Sequence, residues 1–172
     1  MNSSWIGGTE LQFISPLIPE VDGLGKIIEE QPAPRYRNVK GLPLNKYGNG
    51  PFCRFKILAC STKAATALHA IGVYAILSDS NTVLYIGKCT GHTSTLGKRF
   101  DYGYGAIQPR NCYQGGQSTN CRINNLVLNE VKRGKRLSVF FHKTLAGSEA
   151  SALEATLIRQ MCKPPWNIQK PR

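Results

Sequence analysis

Residues 72–88 read GVYAILSDSNTVLYIGK, two short apolar runs separated by Asp79-Ser80-Asn81. Runs rich in β-branched and aromatic residues suit a pleated strand, and Asp-Ser-Asn is a turn signal, so the stretch predicts a β-hairpin. Each arm holds a tyrosine beside a glycine, Gly72-Val73-Tyr74 in the first and Tyr85-Ile86-Gly87 in the second. Tyr74 and Tyr85 are an odd number of residues apart, so loop register decides whether the phenols share a face.

Downstream of the hairpin, the residues of TSTLGKRF, 93–100, predict a capped short helix carrying Lys98 and Arg99. A glycine-rich polar loop, DYGYGAIQPRNCYQGGQS, follows. From Thr119 the residues Ile123, Leu126, Val127, Glu130 and Val131 keep a helical period that ends at Gly134, with cations in the last turn. RLSVFFH predicts a third strand. Gly147-Ser148 opens a second amphipathic helix, with Ala150, Leu153, Leu157 and Met161 in line, stopped by Pro164-Pro165.

Upstream, residues 1–50 are punctuated by Pro16, Pro19, Pro32, Pro34 and Pro43, which exclude a long helix. They predict an irregular arm, and CRFKILAC, 53–60, a single strand. The expected architecture is α+β: a small antiparallel three-stranded sheet flanked by helices over 71–172, preceded by an irregular N-terminal arm over 1–70. That arm is a candidate for DNA contact or dimerisation.

The chain has 22 Lys and Arg against 10 Asp and Glu, a net charge of +12. The first 30 residues hold five acids and one base, so residues 31–172 carry a net +16. A body this basic favours a polyanion, because each neutralised phosphate releases condensed counterions. No basic amphipathic helix, 18-residue apolar run or secretory signal is present, so a membrane partner is not expected. A cytoplasmic location with six reduced cysteines is expected. The cysteines form no C-x-x-C pair, which speaks against structural zinc.

Catalytic groups are sparse. Three histidines form no triad or H-E-x-x-H arrangement, and no G-x-x-x-x-G-K-[ST] loop occurs. After Asp101 only Glu130, Glu149 and Glu154 remain as carboxylates, which suits one metal ion better than two. Glu149 falls in the first turn of its helix, where a negative charge complements the macrodipole. Glu154 lies mid-helix beside the apolar stripe; a solvated flank, a Ser151-x-x-Glu154 capping box and a functional carboxylate are all open readings.

Taken together these pieces resemble the GIY-YIG nuclease family. Gly72-Val73-Tyr74 and Tyr85-Ile86-Gly87 are similar to its two name elements, and Lys88 follows the second as in many members. LGKRF resembles the helix carrying the family's arginine, which falls on Arg99. ALEATLIRQMCKPPWNI resembles the end of the domain, with the metal-binding glutamate on Glu154 and the terminal asparagine on Asn167. The resemblance spans roughly residues 71–168 and departs from the pattern at Gly103, where many members carry His or Tyr, and in a longer stretch between Gly87 and Arg99.

The resemblance implies divalent-metal-dependent hydrolysis of phosphodiester bonds in double-stranded DNA. Glu154 would hold one Mg²⁺ or Mn²⁺, Arg99 would act on the phosphoryl group, Tyr85 would join the proton network and Asn167 would hold the site's shape. Tyr74 is the expected general base. A free phenol, with a pKa of about 10, needs a nearby cation for that task, and Lys88 is the candidate helper. Cutting both strands implies a homodimer or two visits.

The loop and helix start at 108–125 offer Arg110, Asn111, Gln114, Gln117, Asn120 and Arg122 for reading base edges, which would suit restriction-type, sequence-specific cutting. A glycine turn with polar caps explains the same residues. Arg35, Arg37 and Lys40, interleaved with Tyr36, are candidates for the phosphate backbone. Without base reading, a structure-selective repair or mobile-element nuclease gains weight; a non-catalytic nucleic-acid-binding module on the same fold is the remaining alternative.

Overall fold

The structure, a computed structural model, describes residues 3–30, 51–100, 105–109 and 118–168. Arg35, Arg37, Lys40, Gly103, Arg110, Asn111, Gln114 and Gln117 lie outside the described residues. By internal contacts the chain forms two units, one of residues 1–16, 57–97 and 136–172, the other of 17–56 and 98–135.

The described strands are β1 (Ser3–Ile6), β2 (Thr9–Pro19), β3 (Glu29–Glu30), β4 (Phe52–Cys53), β5 (Phe55–Ile57), β6 (Gly72–Ser78), β7 (Val83–Cys89) and β8 (Leu137–Lys143). The helices are α1 (Thr62–Leu68), α2 (Leu96–Phe100), α3 (Ser118–Lys132) and α4 (Gly147–Gln160). This corrects the expected fold. The three expected strands are β6, β7 and β8, but they belong to a six-stranded sheet ordered β1-β2-β8-β6-β7, with β5 also paired to β2.

The segment expected to be an irregular arm supplies the extra strands. Its prolines forbid helix but tolerate extended backbone, and Pro16 sits opposite Ser138 just past a register shift between Phe13 and Ser15. That bulge puts an extra residue between buried Leu11 and buried Ile14, so the two-residue alternation that marks a strand is broken in the sequence. CRFKILAC likewise divides into β4 and β5.

In the first unit, alternate residues Val73, Ala75 and Leu77 of β6 meet Ile86 and Val83 of β7 and Phe140 of β8. With Ile6 and Leu11 they form a core closed by Ala150 and Leu157 of α4. The helix stripe read from the sequence is therefore the face that packs on the sheet. Gly147 starts α4 directly against the Thr90 backbone, with no room there for a Cβ. Ser61 caps α1, its Oγ accepting the Ala64 N–H at 3.1 Å.

In the second unit, asparagines of α3 hold neighbouring backbone. Asn124 accepts the Cys53 N–H at 3.0 Å and donates to the Cys53 carbonyl at 2.8 Å. Asn125 donates to the Pro51 carbonyl at 2.9 Å. Three of the five N-terminal acids are ion-paired: Glu29 lies 2.8 Å from Lys132, Glu20 lies 3.6 Å from Lys56, and Glu30 pairs with Arg54. Among the described residues no helix is long and apolar enough to cross a membrane.

Candidate active site

Strand β7 organises the candidate residues of the first unit. Tyr74 is the register partner of Gly87, and Ile76 of Tyr85. Directly opposed residues share a face, and so do alternate residues along one strand, so Tyr74 and Tyr85 emerge on the same side of the sheet. Their ring centroids are 6.0 Å apart with planes at 53°. The register question raised by their odd separation is thereby answered.

Gly87 makes this arrangement sterically feasible. A Cβ built there would lie 2.6 Å from Cζ and Oη of Tyr74 and 2.8 Å from Cε1 of Tyr85. The Tyr74 phenol therefore lies across the place where any other residue would carry a side chain. Both tyrosines are shielded from solvent, at 2% and 8% exposure.

Lys88 leaves β7 on the opposite side. It pairs with Val73, whose side chain belongs to the core under α4. Its Nζ lies 2.9 Å from Oε2 of Glu154, with the side chains 39% and 19% exposed. The cation expected to assist Tyr74 is thus committed to the carboxylate. Glu154 follows Ala150 by four residues and precedes Leu157 by three, so it sits on the stripe that meets the sheet, not on a solvated flank. The helix begins at Gly147, and Ser151 Oγ donates back to the Gly147 carbonyl at 2.9 Å, which removes the capping-box reading. Glu149 serves the helix start, its Oε2 accepting the Leu145 N–H at 2.8 Å.

Asn167 completes the group from the C-terminal side. Its Oδ1 accepts the Ile86 N–H at 2.9 Å and its Nδ2 donates to the Ile86 carbonyl at 2.8 Å. Beside it, the Trp166 N–H donates to the Leu84 carbonyl at 2.9 Å. These bonds satisfy the outward backbone groups of a strand that ends the sheet.

Arg99 belongs to the second unit, where its guanidinium donates to the Gly105 carbonyl. Asn120 is buried and donates to the same carbonyl at 2.8 Å. Arg122 is half-buried on α3. The asparagine clamps were not legible in the sequence, because Asn124 and Cys53 are 71 residues apart and Asn167 and Ile86 are 81 apart.

Among the described residues no group of three or more His, Cys, Asp or Glu side chains could hold a metal. The donor set that remains is one carboxylate, Glu154, held by an ammonium. One hard oxygen ligand fits a Mg²⁺ or Mn²⁺ ion that keeps several waters and takes substrate phosphate as a further ligand. An ion there would take the carboxylate oxygen that Lys88 now holds.

No family model matches the chain, and neither a curated protein nor a solved structure does.

Proposed function

We propose that this chain is a divalent-metal-dependent endonuclease of the GIY-YIG type that hydrolyses phosphodiester bonds in double-stranded DNA. The observation that carries the reading is that β7 carries or is contacted by five of the candidate residues. Tyr74 lies over Gly87, Tyr85 stands beside it, Lys88 engages Glu154, and Asn167 clamps Ile86. Five of the six residues singled out by the resemblance thus lie along seven residues of one edge strand, the two phenols on one face and the Lys88–Glu154 pair on the other.

In this reading Glu154 holds the ion, and the chemistry an ion supplies there is stabilisation of charge on the phosphate and the leaving oxygen. Tyr74 takes the proton of the attacking water and Tyr85 hydrogen-bonds the same network. Arg99, on the second unit, is the planar cation that the resemblance assigns to the phosphoryl group. Asn167 holds the strand in place and takes no part in proton transfer. The phenols are shielded and face away from the Lys88–Glu154 side of β7, so cleavage requires the strand and the cover of the phenols to rearrange when DNA binds.

That shielding, with the Lys88–Glu154 pair, also favours a second reading: a nucleic-acid-binding module that does not cut. Supercoiled plasmid, linear duplex, branched DNA and RNA, each with Mg²⁺ and with chelator, separate the two. Divalent-dependent cutting of duplex DNA that is lost in Glu154→Ala and Arg99→Ala, with binding retained, supports the nuclease. Unchanged cutting in both variants rejects the site. Fragment ends at one sequence would assign restriction-type specificity, and preference for branched DNA a repair-type role.

A further inference from the structure

A concave site lies in the first unit, at the end of the sheet that carries the β6–β7 turn. Its volume is about 350 Å³, and Phe13, Pro16, Ser78, Asp79, Asn81, Arg136, Ser138 and Phe140 line it. The register explains its make-up. Phe13 pairs with Phe140 and Phe140 with Ala75, while Pro16 pairs with Ser138 and Ser138 with Leu77. Alternate positions 136, 138 and 140 therefore run from cation through hydroxyl to aromatic ring along one line.

The chemistry is graded along that line. At one end Phe13 and Phe140 meet edge to face, their centroids 5.4 Å apart. At the other, Arg136 and Asp79 are both exposed. None of the six residues placed in the nuclease reading lines the groove.

We propose that this groove receives one unpaired nucleotide of a nucleic-acid strand. The base lies against the partly buried Phe13, which buried Phe140 backs edge to face, the sugar faces Ser138, and the phosphate meets Arg136. Asp79 accepts from the amino edge of the base, which selects cytosine, adenine and guanine over thymine. A nucleotide is the occupant that uses the cation, the acceptor and the aromatic floor together, on a chain whose net charge of +12 already favours polyanions. The proposal rests on nucleic acid as partner and is independent of cleavage.

The test is titration of the full chain with dCMP, dAMP, dGMP and dTMP in chelator, followed by amide NMR shifts of Ser138 and Phe140. The first three are expected to bind, with dTMP weaker. Arg136→Gln should weaken all four about ten-fold, the worth of a charge-assisted contact. Asp79→Asn should erase the preference against dTMP, while Glu154→Gln should leave the shifts unchanged. Both groove residues are exposed, so neither substitution threatens the fold. Equal binding by wild type and Arg136→Gln overturns the proposal, as does loss of the shifts in Glu154→Gln or binding of free phenylalanine in place of nucleotides. None of these measurements depends on cutting, so failure here and failure of the nuclease reading are separately visible.

Discussion

The side-chain amide of Asn167 spans both backbone polar groups of Ile86, accepting at 2.9 Å and donating at 2.8 Å. One side chain thus does what a neighbouring strand would do. Asn167→Ala leaves a buried N–H and a carbonyl without these bonds, and we expect a loss of about 2–4 kcal/mol of stability. Asn167→Asp keeps the acceptor but turns an oxygen towards the Ile86 carbonyl, and should be destabilising as well. Urea midpoints measure both; a change under about 0.5 kcal/mol for either would count against the clamp.

Gly87→Ala places a methyl 2.6 Å from the Tyr74 ring and hydroxyl. Overpacking of this kind costs about 1–3 kcal/mol and is relieved here by moving the phenol. Cleavage should fall much further than DNA binding, and the near-ultraviolet tyrosine signal should change. If a crystal structure of the variant kept the Tyr74 phenol where it is now, that account would be wrong.

Glu154 and Lys88 are expected to behave oppositely towards metal. Glu154→Gln should abolish Mn²⁺ binding measured by electron paramagnetic resonance. Lys88→Met removes an ammonium 2.9 Å from the carboxylate and should tighten Mn²⁺ binding. The pair is partly exposed, so the gain should be small, about two- to five-fold. Weaker Mn²⁺ binding in Lys88→Met would mean that the lysine orients the carboxylate for the ion rather than competing with it.

Tyr74→Phe retains the ring that packs over Gly87 and removes only the hydroxyl. The fold should therefore persist while cleavage drops about 10²-fold or more, the range for a positioned acid or base. Tyr85→Phe should lose less. Equal, minor losses in the two variants would leave the phenols as packing alone.

Cys53 gives a stability test on the alkaline side. Burial raises its thiol from 9.0 to about 12, with Glu29 and Glu30 adding to the shift. The unfolded thiol ionises near 9.0 while the folded one keeps its proton, so its contribution is whole below 9.0 and is lost as pH climbs towards about 12. Wild type should lose stability more steeply across that window than Cys53→Ala. At pH 8, exposed Cys60 and Cys162 should alkylate quickly and Cys53 slowly. Fast labelling of Cys53 in the folded chain would contradict its burial.

What the sequence made legible followed local period. The hairpin, the helix from residue 118, the helix from 147 and the strand at 137–143 all have regular apolar spacing, and each forms where that spacing points. Strand β2 was hidden because its bulge between Phe13 and Ser15 shifts the alternation midway. Helix α1 buries only Ala64 and Ala67, which leave no large apolar stripe in the sequence; its Ser61 cap is the one local signal. For the site, Glu154 was legible as a mid-helix acid. Its partner was not, since the side of β7 that Lys88 takes depends on pairing with Val73.

The position of β8 between β2 and β6 has a consequence for biosynthesis. The flanking strands leave the ribosome well before residues 137–143, and each must wait with an open edge for the piece that joins them. The first unit draws on three stretches of chain, the last beginning at residue 136, so its nucleation is delayed until that last stretch has emerged. Nascent chains arrested before that point should therefore recruit chaperones or aggregate, whereas chains in which residue 168 has cleared the exit tunnel should yield a protease-resistant body.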